Sequence, residues 1–171
     1  MLKQSWLLLI GIMLSGWGLE QVQRAVVQYS LSGPVLDVGA ADHHELIREL
    51  FQATGHRYWS VDKDGSEGVD IIAIVPREKL PMIHGIQTAL ILSMLEHAFV
   101  PNTVVKWTTS KMAPSGKLLV LAPMLHATML SPDLWRFMPD GVKWLLRGLT
   151  IKELISDPTD TDIFAVAEKP K

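Results

Sequence analysis

Cysteine is absent from the 171 residues, which excludes disulfide staples, thiolate metal sites and a cysteine nucleophile. That absence fits a reducing compartment such as the cytoplasm. A dominant charge is also missing: 16 Lys and Arg face 18 Asp and Glu, a formal net charge of −2. Such a balance offers no field to hold a phosphate backbone, which argues against general nucleic-acid binding. Internal repeats, low-complexity tracts and an interdomain linker are lacking too. What is present, 48% apolar and 20% charged residues, excludes a disordered chain, a collagen-like repeat and a coiled coil. One globular domain is expected.

The longest apolar run, residues 6–19 (WLLLIGIMLSGWGL), has fourteen residues, short of the roughly 17–25 that a bilayer crossing takes. Three readings stay open. Lys3 and the small residues Ser15 and Gly16 imitate a secretory signal, but no A-x-A-like cleavage site follows. A helix packed on the domain or on a second copy, giving a homo-oligomer, is the second reading. A segment lying on a membrane surface with Trp6 and Trp17 near its ends is the third. Residues 1–33 are therefore set apart as an N-terminal apolar segment from a domain over 34–171.

Beyond Pro34, short apolar or β-branched runs alternate with helical stretches, the rhythm of an α/β domain. Strands are expected at 35–38, 58–61, 69–75, 89–92 and 117–122. Helices are expected at 43–53, 103–112 and 139–149, and a terminal hairpin at 150–155 and 163–167. The turn at Pro114, Ser115 and Gly116 separates a helix from the fifth strand.

The strongest local signal is Val35-Leu36-Asp37-Val38-Gly39-Ala40-Ala41-Asp42, a strand passing into a helix through small residues, with acidic residues about twenty positions further on. Backbone around Gly39 to Ala41 can approach an adenosine-containing cofactor, and Asp62 at the end of the second strand can accept both ribose hydroxyls. The turn has one glycine rather than G-x-G-x-x-G. A purely steric role for Gly39 therefore stays open, and a nucleotide-dependent oxidoreductase is disfavoured.

Read together with Tyr58-Trp59-Ser60-Val61-Asp62, Gly68-Val69-Asp70-Ile71-Ile72 and Leu80-Pro81-Met82, this signal resembles a class I S-adenosylmethionine-dependent methyltransferase of the small, glycan- and cell-envelope-associated type. Met94-Leu95-Glu96-His97 is similar to that family's "LEH". Ala113-Pro114-Ser115-Gly116-Lys117-Leu118-Leu119-Val120 is similar to its "KPGGxLxV", and residues 132–141 (PDLWRFMPDG) to its "PDYWRFTPEG". The resemblance runs from about Val35 to Glu168.

It implies a Rossmann-like α/β fold: a seven-stranded, mostly parallel sheet with an antiparallel C-terminal hairpin and helices on both faces. It also implies S-adenosylmethionine as cofactor, with Asp37, Gly39 and Ala41 shaping the methionine side and Asp62 holding the ribose. Ala41 stands where the family has a second glycine. No acidic residue directly follows the third strand, so Glu78 is the candidate replacement. Gln87-Thr88 replaces the usual "FD".

For the acceptor, small or saccharide-like, His126 is the candidate base, against a loop histidine bonded to backbone. Trp135 and Arg136 are candidate acceptor-binding residues, against an ion pair of Arg136 with Asp133 or Asp140 and a packed Trp135. Glu96 and His97, adjacent on an expected helix, are read as architectural. His43 and His44 lack further ligands at metal spacing, so no metal is expected. The altered motif residues leave a second function open, a catalytically degenerate fold kept as a binding or assembly subunit.

Overall fold

A computed structural model of the chain describes residues 15–40, 44–52, 55–65, 68–125, 127 and 131–171. Ala41, His126 and most of the apolar run 6–19 therefore lie outside the described residues. Among the described residues no helix is long and apolar enough to cross a membrane.

Helix α1 (Gly16–Gln28) leads into strand β1 (Val35–Val38), helix α2 (His44–Gln52), and strands β2 (Tyr58–Asp62), β3 (Ile71–Ile72) and β4 (Ile86–Leu92). A 3₁₀ turn (Leu95–His97), helix α3 (Pro101–Lys111), strand β5 (Met112–Pro123) and helix α4 (Pro139–Leu145) follow. Strands β6 (Thr150–Ser156) and β7 (Asp162–Glu168) end the order. All seven strands form one sheet in the order β3-β2-β1-β4-β5-β7-β6. The first five run parallel, and β7 pairs antiparallel with both β5 and β6. This is the mixed seven-stranded sheet with a terminal hairpin that the resemblance implies.

Strand side chains alternate between the two faces of the sheet, and the sequence supplies apolar residues for both. Leu36, Val38, Ile91, Leu118, Val120 and Ala165 join Val104 and Val105 of α3 and Val142 of α4 in one buried cluster. Val35, Leu90, Leu119, Leu121 and Phe164 join Val22 and Ala25 of α1 and Ile47 and Phe51 of α2 in another. Parallel strands covered on both sides read as continuous apolar runs for this reason.

The helices start as local chemistry directs. The Ser15 hydroxyl accepts the Gly18 N–H at 3.0 Å and caps α1, while Pro101 and Pro139 occupy first turns, where no amide donor is required. Gly18 lies against Leu121: a Cβ there would stand 2.5 Å from Leu121 Cδ2. The start of α1 is thus seated on β5.

Some boundaries differ from expectation. The third strand pairs only over Ile71–Ile72: past them β2 has ended at Asp62, and before them the Asp70 side chain takes the Ser60 N–H. Helix α4 stops at Leu145, and residues 146–149 form turns instead. Strand β5 begins at Met112, running through the expected turn with a register shift opposite Ile86 and Thr88. There Ser115 is left-handed (φ 62°), and backbone bonds to Lys169 hold the kink in the sheet.

Candidate functional site

A parallel sheet gathers the carboxyl ends of its strands along one edge, where ligands of such folds bind. Here that edge opens into a cavity of about 750 Å³, within the range of cofactor and small-molecule sites. Its walls come from Gly39 after β1, Asp62 and Lys63 at the end of β2, and Ile74 and Val75 after β3. Ser93, Met94, His97 and Phe99 after β4 form the opposite side, closed by Pro132.

Two left-handed residues shape the floor. Gly39 (φ 79°) turns the chain out of β1, and Ser93 (φ 50°) turns it out of β4. A Cβ on Gly39 would lie 2.2 Å from Met94 Cγ, so glycine is required for the two turns to meet as well as for the backbone angle. The Gly39 N–H is bonded to the Val61 carbonyl at 2.8 Å.

The candidate residues of the sequence fall into separate places. Gly39 and Asp62 share the cavity wall. Asp62 Oδ1 accepts the Asp64 N–H at 2.9 Å, which fixes the direction of the carboxylate at the strand end. Asp37 is fully buried, and its parity with Val35 puts it on the α1/α2 side of the sheet. There its Oδ2 accepts from the Tyr58 hydroxyl at 2.5 Å. Burial and the Asp37 carboxylate push the Tyr58 phenol well above its ordinary range, so it stays a donor.

Glu78 accepts the Ile74 N–H at 3.0 Å and, through its carbonyl, the Trp107 indole N–H at 2.9 Å. It closes the turn that carries Ile74 into the cavity wall. Arg136 forks both oxygens of Asp133, with Nη2 to Oδ2 at 2.8 Å, and Trp135 donates its indole N–H to the Ala98 carbonyl at 2.7 Å.

The cavity contains one group the sequence reading took as architectural. His97 sits on the wall because the segment after β4 is a 3₁₀ turn, which sends adjacent residues in different directions. Glu96 faces inward, its side chain 8% exposed, and Oε2 has no hydrogen-bond partner among the described residues. Burial, joined by the Asp133 carboxylate, lifts its carboxyl to about 7 against its own backbone hydrogen bond and the positive charges of His97 and Arg136. The overlooked signal was positional: residues just past a parallel strand's carboxyl end face the ligand edge. Among the described residues no group of three or more His, Asp or Glu is placed to hold a metal ion.

No family model matches the chain, and no curated protein matches it. Solved structures do. The 1,6-didemethyltoxoflavin-N1-methyltransferase of Burkholderia thailandensis, crystallised with 1,6-didemethyltoxoflavin and S-adenosylhomocysteine, superposes with a TM-score of 0.71 at 17% identity, over 90% of this chain and 78% of that one. An S-adenosylmethionine-dependent methyltransferase from Aquifex aeolicus gives 0.65 at 14%, over 92% of each chain. The [4+2]-cyclase SpnF gives 0.66 at 14%, over 88% and 80%. The chain thus has the Rossmann-like methyltransferase fold. That fold carries more than one chemistry, so function is argued from the cavity.

Proposed function

We propose that the chain transfers a methyl group from S-adenosylmethionine to a small-molecule acceptor, with residues 34–171 as the methyltransferase-like domain. The observation that carries this reading is the cavity across the carboxyl ends of β1, β2 and β4, with the Asp62 carboxylate on its wall. The donor set suits the cofactor. Asp62 is an acceptor for two ribose hydroxyls, Ile74 and Val75 are apolar surface for a purine, and the Gly39 turn borders the methionine end. When bound, S-adenosylmethionine supplies a methyl group already activated on a positively charged sulfur. The protein's own task is then alignment, exclusion of water and removal of the acceptor's proton. A similar fold crystallised with S-adenosylhomocysteine and 1,6-didemethyltoxoflavin supports the same reading.

The finer reading is a saccharide-like acceptor, brought close by a membrane surface on which the part of the 6–19 run ahead of α1 rests. Flotation of the full chain with anionic vesicles, against a variant starting at Glu20, tests that part; equal behaviour of the two removes it. Calorimetric titration with S-adenosylhomocysteine tests the cofactor: saturable binding is expected, and none at millimolar ligand overturns the reading.

A further inference from the structure

We propose that His97 is the proton acceptor of the transfer, set in its working tautomer by the Pro132 carbonyl. The proposal rests on the methyl-transfer reading and adds to it the class of acceptor, a hydroxyl or an amine that must lose a proton.

His97 Nδ1 lies 2.5 Å from the Pro132 carbonyl oxygen. A carbonyl only accepts, so Nδ1 carries the proton and Nε2 keeps the lone pair. The ring lines the cavity with its side chain 23% exposed. On the Nε2 side, Glu96 Oε1 stands 4.0 Å away, too far for a hydrogen bond.

The mounting is built for this residue. Three bonds join residues 132–135 to residues 96–98: Pro132 carbonyl to His97, the Leu134 N–H to the Glu96 carbonyl at 2.7 Å, and the Trp135 indole to the Ala98 carbonyl at 2.7 Å. The Arg136–Asp133 fork stiffens the same strap. Trp135 and Arg136, singled out in the sequence as acceptor contacts, thus belong to the strap that clamps the turn presenting His97.

For an acceptor X–H, with X oxygen or nitrogen, the lone pair on X forms the X–C bond while the C–S bond breaks and leaves its electron pair on sulfur. The proton on X passes to Nε2, and the imidazolium beside Glu96 then releases it to water. His97 would touch the acceptor. The charged groups around it are Asp62, Lys63, Asp64 and Arg77 on the cavity side and Asp133 and Arg136 behind Glu96.

Nitrogen-15 NMR of the full chain at pH 7, with the His97 ring assigned by its loss in His97→Gln, is expected to show the Nδ1–H tautomer. The Nε2–H tautomer overturns the proposal. Methyl transfer from labelled S-adenosylmethionine to a panel of phenols and primary amines is expected to fall about 100-fold in kcat in His97→Gln. A fall of less than tenfold overturns it. Absence of S-adenosylhomocysteine binding to the wild type is a separate failure, that of the methyl-transfer reading itself. Binding with the wrong tautomer defeats His97 alone.

Discussion

Two carboxylates on neighbouring strands, Asp37 and Asp62, carry the same chemical group into opposite surroundings. Asp37 is buried under α1 and α2 and bonded to Tyr58, whereas Asp62 stands at the strand end on the cavity wall, held by the Asp64 amide. The contrast teaches that an acidic residue in a strand-to-helix motif has no fixed meaning until its pleat position is known. A mid-strand carboxylate on the packed face is committed to the fold, and a strand-end one is available to a ligand. Glu96 is intermediate, buried like Asp37 but adjoining the cavity like Asp62.

The strongest test of the cavity side is Gly39→Ala. A left-handed alanine costs about 1–2 kcal/mol and its collision with Met94 about 1–3 more. Denaturant unfolding should therefore show a loss of about 2–5 kcal/mol, and a loss under 0.5 would mean that the two turns do not touch.

Glu96 extends the comparison to pH. Its carboxyl titrates at about 7 when folded, against an ordinary value of 4.5. The favourable protonated state is fully present below about 4.5, and its contribution is lost as pH rises through about 7. The cost of ionising it in the fold is roughly 3 kcal/mol. Glu96→Gln should match the wild type near pH 5 and exceed it in stability at pH 8, as urea midpoints at the two values will report. Parallel pH slopes for the two proteins would show Glu96 to be solvated.

Tyr58→Phe and Asp62→Ala divide the two acids directly. The first strips a buried carboxylate of a donor and should cost about 1.5–3 kcal/mol of stability with S-adenosylhomocysteine affinity within twofold. The second should do the reverse, weakening that ligand by about 1–3 kcal/mol in calorimetry while unfolding shifts by less than about 0.5. If both variants lose affinity equally, the separation of the two faces is mistaken. The smallest effect belongs to Trp135→Phe, which removes the bond to Ala98 and should cost about 0.5–1.5 kcal/mol.

Much of the architecture was legible in the order of residues. Apolar runs bounded by Gly and Pro marked β1, β2, β4 and β7, since strands buried on both faces must be apolar throughout; edge strand β6, with Lys152 and Glu153, was marked by the hairpin loop beside it. Pro139 marked a helix start, whereas α3 begins at Pro101, two residues ahead of the expected 103. Less legible were the length of β3, which its partner limits, and the course of β5 past Pro114, which bonds to a distant Lys169 maintain. Gly39 and Asp62 were legible as cavity-wall residues because strand ends carry local turn chemistry. His97 was passed over because its meaning depends on Pro132, thirty-five residues away.

The sequence by itself determined the alternation of strand and helix, the turn at Gly39 and the carboxylate at the end of β2, because these rest on periodicity and backbone sterics within a few residues. Only the tertiary structure decided that Asp37 turns to the core, that Arg136 is spent on Asp133 and that His97 faces the cavity. Those outcomes depend on which distant group completes each hydrogen bond, a matter of packing that local spacing does not encode.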